Sequence, residues 1–126
     1  LIVEDNQDLQ EIYKLAFQNA GIPIILSDGG LEALAKIRKV NPALILLDIL
    51  MPGDISGIQF IKTLNENGVA KYPIIVCSNL SSQETIAECK ALGCLDYIIK
   101  ANIDVSEIIG RVRKYLDQHK EGQKVV

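Results

Sequence analysis

Apolar positions in this chain gather into short runs, and each run ends on polar residues. Ala43-Leu44-Ile45-Leu46-Leu47 is closed by Asp48, and Leu1-Ile2-Val3 by Glu4-Asp5. Pro73-Ile74-Ile75-Val76-Cys77 is closed by Ser78, and Tyr97-Ile98-Ile99 by Lys100. Runs this short, rich in branched aliphatics, suit strands buried on both faces. A carboxylate in the middle of one would be costly to desolvate unpaired. At the C-terminal end it lies on the rim of a sheet. A further run, Pro23–Leu26, leads into Ser27-Asp28-Gly29-Gly30, which is loop chemistry.

Between the runs the apolar period lengthens to three and four residues, as in amphipathic helices. Asn6 or Asp8 can cap a first helix to about Ala20, with Leu9, Ile12, Ala16 and Ala20 inward and Gly21 closing it. Leu31–Val40 reads as a second helix with Leu31, Leu34 and Ile37 on one face, stopped by Asn41-Pro42. Ser56 can cap a third from about Gly57 to Asn67, with Ile58, Ile61 and Leu64 inward and Gly68 at its end. Ser81 with Glu84 reads as a capping box for a fourth helix to about Leu92. Its apolar residues, Ile86, Ala87, Ala91 and Leu92, are mostly small, so loose attachment to the core is expected. A last helix starts at Asp104 or Ser106 and turns Ile108, Ile109, Val112 and Leu116 inward. Five strand–helix alternations predict an α/β fold, with a parallel sheet covered by helices on both faces. A closed barrel needs eight units, so the sheet is expected to be open.

Length and composition narrow the class. The 126 residues suggest one domain over 1–118 with a tail over 119–126. Hydrophobic residues at 48% and charged residues at 23% describe an ordinary globular chain. A net charge of -3 argues against nucleic-acid binding by this segment through bulk charge. No apolar run approaches the ~20 residues of a membrane span. The chain opens inside an apparent strand, so residues upstream are expected and an absent leader carries no weight. Cys77, Cys89 and Cys94 include no CxxC pair, and the one histidine, His119, lies in the polar tail. Such a set argues against a structural zinc site and fits a reducing cytosol, so a cytoplasmic location is expected.

If the strands are parallel, their C-terminal ends line one edge, where ligands of open α/β sheets bind. That edge would gather Glu4, Asp5, Asp48, Ser78 and Lys100. Glu4 and Asp5 would face opposite ways on a regular strand, so they share a site only where the strand has ended. Neighbouring carboxylates disfavour one another's ionisation, and a divalent cation relieves this. Hard oxygen donors without histidine fit magnesium best. A metal, an ammonium and a hydroxyl suit phosphoryl chemistry, in which charge spreads over three equatorial oxygens. Asp48 could then act as nucleophile, since carboxylates form acyl phosphates.

Leu1-Ile2-Val3-Glu4-Asp5, Leu46-Leu47-Asp48-Ile49-Leu50-Met51-Pro52, Val76-Cys77-Ser78 and Asp96-Tyr97-Ile98-Ile99-Lys100, in this order and spacing, resemble the receiver domain of bacterial two-component response regulators. The resemblance covers roughly residues 1–118 and implies a flavodoxin-like sheet of order 2-1-3-4-5. The second strand would then lie at an edge and contribute nothing to the site. The resemblance further implies that Asp48 accepts a phosphoryl group from a sensor histidine kinase or phosphotransfer protein. Asp5 would ligate magnesium directly, Glu4 mainly through water, and Leu50 through its backbone carbonyl. Lys100 would pair with Asp48 and later with the phosphoryl group. Ser78 would turn inward to a phosphoryl oxygen, and Tyr97 would swing from exposed to buried as it did so. The outcome would be a signalling switch rather than an enzyme. It would act through the fourth helix, fifth strand and fifth helix on an output protein or fused domain, as a monomer or weak dimer.

Two other classes compete. A phosphorylation-independent interaction module has no need of the full acid, hydroxyl and lysine set. A magnesium-dependent phosphatase with an aspartyl phosphate intermediate needs a second acid, commonly two residues after the nucleophile, where this chain has Leu50.

Three departures from the family pattern stand out. Ala101 follows Lys100 where the family usually has a cis proline, so a trans bond is expected, since cis before alanine costs about 2.5–4 kcal/mol. Met51-Pro52-Gly53-Asp54-Ile55-Ser56-Gly57 is one residue longer than the usual loop, which bears on where the third helix starts. Asn79 stands where a very small residue is preferred and would narrow access to the phosphoryl group. Leu50 and Leu80, two residues after Asp48 and Ser78, cannot orient an attacking water, so slow self-dephosphorylation is expected.

Overall fold

Strand and helix alternate along the chain as the apolar pattern predicts. The computed structural model describes residues 1–66 and 72–124. Its elements are β1 (Ile2–Val3), α1 (Gln7–Asn19), β2 (Leu26–Ser27), α2 (Gly30–Val40) and β3 (Ile45–Leu47), followed by α3 (Gly57–Glu66), β4 (Ile74–Ser78), α4 (Gln83–Ala91), β5 (Asp96–Ile99) and α5 (Val105–Lys124). The strands form one parallel sheet of order β2-β1-β3-β4-β5. This is the open, flavodoxin-like sheet, and no closure occurs.

Strand alternation divides the core in two. Leu44 and Leu46 point to one face, where Tyr13 and Phe17 of α1 and Ile108, Ile109 and Val112 of α5 cover them. Ile45 and Leu47 point to the other, under Ala33 and Ile37 of α2, Phe60, Ile61 and Leu64 of α3, and Cys89 of α4. Both faces of the central strands are thus dry, which is why those strands read as unbroken apolar runs. Burial pushes the Cys94 thiol up to about 12 and raises Cys77 and Cys89 as well, leaving all three protonated and unreactive.

Several local expectations need correction. In α1 the buried stripe is Gln10, Tyr13 and Phe17, whereas Ile12 is 50% exposed. In α2, Ala33 and Ile37 face the core and Leu31 is 59% exposed. The second strand lies at Leu26–Ser27, not Pro23–Leu26, because pairing begins where the Ile2 N–H meets the Ile25 carbonyl and the Glu4 N–H meets that of Ser27. Ser82, not Ser81, caps α4, its hydroxyl accepting from the Thr85 N–H at 3.2 Å.

Other expectations stand. Ser56 accepts from the Gln59 N–H at 3.2 Å, so α3 starts at Gly57 despite the longer loop. The expected end of that helix, at Asn67 and Gly68, lies outside the described residues. Cys89 is the one buried residue of α4, in keeping with a loosely held helix. Lys100 falls just past β5 and opens a 3-10 turn over Lys100–Asn102, and its bond to Ala101 is trans. Asp104 caps α5 through the Glu107 N–H at 3.1 Å. The backbone of α5 continues through Lys124, so the segment read as a tail from residue 119 is helical as far as that residue.

Candidate functional site

Strand register assembles the site. Val3 lies opposite Leu47, so Glu4 comes level with Asp48 one residue past both strands. Leu47 pairs with Val76, and Ser78 pairs with Ile99, which brings Ser78 and Lys100 to the same edge. Each of these side chains therefore stands at the C-terminal end of a strand, where the chain leaves the sheet and polar groups can be reached.

The Lys100 ammonium is the hub. It donates to Glu4 Oε1 at 2.6 Å and to Asp48 Oδ2 at 3.0 Å. The other oxygens are also occupied, with Glu4 Oε2 accepting from the Asn6 N–H at 3.2 Å and Asp48 Oδ1 from the Leu50 N–H at 3.2 Å. Burial alone would lower the Lys100 pKa, but its bond to Glu4 and the two negative charges outweigh this and raise it, so the ammonium stays charged. Burial raises the Glu4 carboxyl, more than the Lys100 contacts lower it.

Asp5 completes the acidic group. One carboxylate oxygen from each of Glu4, Asp5 and Asp48 lies within 4.8 Å of the others. Glu4 and Asp48 are buried, and Asp5 is half-buried at the mouth. Three hard oxygens with no nitrogen or sulfur donor among them fit magnesium. Glu4 and Asp48 alike have both carboxylate oxygens held by protein donors. The Leu50 backbone meets the cluster through its N–H, and the residue is 50% exposed.

Ser78 and Tyr97 meet at one residue, Leu80. Ser78 is fully buried, and its Oγ accepts from the Leu80 N–H at 3.3 Å. The half-buried Tyr97 donates its hydroxyl proton to the Leu80 carbonyl at 2.5 Å. The β4–α4 loop therefore rests on both side chains at Leu80. Asn79 is exposed.

Two further residues hold the surrounding loops. Gln10 is buried in α1 and donates to the Glu4 carbonyl at 2.5 Å and to Asp28 Oδ1 at 2.8 Å. Asp54 in the β3–α3 loop accepts from the Leu31 N–H at 3.1 Å. The available signal for Gln10 was its phase, three and seven residues before Tyr13 and Phe17. Nothing local marked Asp54, whose partner is 23 positions away.

Comparisons with known proteins bear on the family and the fold. The family model described as "Response regulator receiver domain" matches residues 1–113. The chain is 34% identical over 122 residues to the transcriptional regulatory protein HprR of Escherichia coli (strain K12), covering 94% of this chain and 52% of that protein. It thus spans about half the length of that relative. It is 32% identical over 119 residues to sporulation initiation phosphotransferase F of Bacillus subtilis (strain 168), covering 92% of this chain and 91% of the other. Among solved structures, the Francisella response regulator 1452 receiver domain superposes with a TM-score of 0.84 at 29% identity, covering 93% of this chain and 94% of that one. Among the described residues, no helix is long and apolar enough to cross a membrane.

Proposed function

This chain belongs to the response regulator receiver family, and from that premise we propose that Asp48 is its phosphoryl acceptor. The observation that carries the proposal is the shared Lys100 ammonium between Glu4 and Asp48, with the Asp5 carboxylate beside them. An Asp48 oxygen attacks phosphorus while the P–N bond to a donor phosphohistidine breaks, and the imidazole leaves with a proton from solvent. The donor is a histidine kinase or a phosphotransfer protein.

Asp5, Asp48 and the Leu50 carbonyl would hold magnesium, with Glu4 acting through water, and the bound ion would supply positive charge to the transferring oxygens. Lys100 moves from its two carboxylates toward a phosphoryl oxygen, which it can do without leaving the site. The Ser78 hydroxyl turns to another. That turn withdraws the acceptor from the Leu80 N–H, and the Leu80 carbonyl is the group that holds the Tyr97 hydroxyl. Phosphorylation therefore loosens the β4–α4 loop at Leu80, on which Tyr97 rests, and α4, whose one buried residue is Cys89, follows. The two arrangements bias a surface of α4, β5 and α5 that an output protein or fused domain reads. The phosphoacceptor unit is the segment 1–118.

The test is intact mass after incubation with magnesium and acetyl phosphate. One added phosphoryl group on wild type and none on Asp48→Asn is expected. No adduct on wild type, with magnesium binding demonstrated, would favour an interaction module that works without phosphorylation.

Leu50 and Leu80 set the lifetime of the adduct. Neither side chain can orient a water for attack on phosphorus. A Leu50→Asn, Leu80→Glu variant is expected to shorten the half-life of the phosphorylated form by about a hundredfold, the low end of what positioned acid–base groups supply. Phosphate release followed after removal of acetyl phosphate measures it, and an unchanged half-life refutes the role.

A further inference from the structure

We infer that the β2–α2 turn, Ser27-Asp28-Gly29-Gly30, is a brace that fixes the two metal-site loops relative to each other, with Gln10 and Asp54 as its positioning residues. The inference rests on the magnesium reading above. The edge strand contributes no member of the acidic cluster, in line with the resemblance. Its following turn nevertheless touches both loops that do.

On one side the link is Gln10. Its buried side-chain amide donates both to the Glu4 carbonyl, the group directly before Asp5, and to Asp28 Oδ1. A polar side chain on a helix stripe otherwise made of Tyr13 and Phe17 is costly to bury unless its bonds are made. Here they are made, and they tie the β1–α1 loop to the turn. The turn is also held internally, since Ser27 donates its hydroxyl proton to the Gly29 carbonyl at 2.9 Å.

On the other side the link is Asp54. The N-cap residue of α2 is Gly29, which has no side chain to satisfy the first N–H groups. Asp54 reaches across from the β3–α3 loop and supplies the missing acceptor, with Oδ1 taking the Leu31 N–H at 3.1 Å and the Ile55 N–H at 2.6 Å. Its charge also lies at the positive end of the helix. The fit leaves no spare room. A Cβ on Gly29 would meet Asp54 Oδ2 at 2.0 Å, and one on Gly30 would meet Ile55 Cγ1 at 2.6 Å. Gly29 has an extended backbone that any residue adopts, so glycine is needed there for space and not for conformation. The residue by which this loop exceeds the usual receiver length lies in the stretch that carries Asp54.

Asp5 and Leu50 therefore stand on loops joined through a turn that offers no ligand of its own. Magnesium demands near-ideal octahedral geometry, so the spacing of its ligands matters more than for a permissive ion. Losing an outer-shell partner of a metal ligand typically weakens binding 10- to 100-fold. The Asp54 link acts one step further out, and about a tenfold loss is expected.

The experiment is calorimetric titration of magnesium into wild type, Asp54→Ala, Asp54→Asn and Gln10→Leu, with metal-free melting curves alongside. Asp54→Ala and Gln10→Leu should each raise the magnesium Kd about tenfold. Asp54→Asn, which keeps an acceptor oxygen, should return close to wild type. The double variant Gln10→Leu, Asp54→Ala should lose less than the product of the single effects, because both act through one turn. A purely structural role would lower the melting temperature of Asp54→Ala and leave the Kd unchanged, which would overturn the brace while leaving the functional reading intact. Wild type that binds no magnesium would overturn both. If Asp54→Ala does not fold, Gly29→Ala carries the same expectation, since its methyl displaces the carboxylate and leaves it in the chain.

Discussion

Lys100→Met is expected to lower stability by about 3 kcal/mol in metal-free buffer, and magnesium is expected to recover much of the loss. Glu4 and Asp48 present side chains only 2% and 9% exposed, and one ammonium serves both. Taking it away leaves two buried carboxylates facing each other without a cation. Breaking a buried pair by removing one partner usually costs 3–5 kcal/mol, and the 15% exposure of the Lys100 side chain, which lets water approach, places this case at about the lower end. A ligand that binds only the folded form adds stability that grows with the logarithm of its concentration over its Kd. Magnesium meets a more negative pocket in the variant, so it should raise the melting temperature further there than in wild type. Thermal unfolding in EDTA and in magnesium measures this. Equal magnesium effects on the two proteins would show that Lys100 does not neutralise the acidic cluster.

Gly57→Ala is the second large effect. A methyl there would lie 2.5 Å from the Asp48 carbonyl oxygen and 2.8 Å from Ile49 Cα. Both obstacles are main chain, so no side chain can step aside. The Gly57 N–H also binds the Ile49 carbonyl at 3.0 Å, which ties the start of α3 to the residue after Asp48. Overpacking typically costs 1–3 kcal/mol, and about 3 kcal/mol is expected here because backbone must move. The acceptor itself would shift, so acetyl phosphate should label the folded variant more slowly than wild type. Gly110→Ala is the matched control. Nothing lies within 4 Å of its added methyl, and alanine in an exposed helix gains up to about 1 kcal/mol over glycine. A Gly57→Ala protein as stable as wild type would show that the strand-to-helix contact is slack.

The strands and their polar closures were legible because burial on both faces writes an unbroken apolar run, and because each run ended where the chain left the sheet. Asp48, Glu4 and Lys100 followed from that pattern alone. Helix phase was harder. In α1 the inward stripe passes through Gln10, whose bonds to the Glu4 carbonyl and Asp28 make burial tolerable, whereas apolar spacing points to Ile12, which is exposed. In α2 the apolar Leu31 lies at the first turn, above the sheet, where the Asp54 carboxylate and not the core meets the chain. Serine at two successive positions left the start of α4 ambiguous by one residue, and only the Ser82 hydroxyl finds the Thr85 N–H. The brace was illegible for a different reason. Its partners are 18 and 23 positions apart, and no local spacing rule joins a glutamine in one helix to the cap of another.

The bridge between Lys100 and Glu4 spans 96 positions, and that to Asp48 spans 52. A chain made from its N-terminus exposes the two acids long before the lysine that reconciles them leaves the ribosome. Until then, bringing β1 beside β3 presses two carboxylates together with no counter-charge. The growing chain is thereby discouraged from closing the edge early, and the arrival of β5 is the event that makes closure favourable. A half-synthesised copy lacks the ammonium that closes this edge, so assembly of the cluster waits on the last strand.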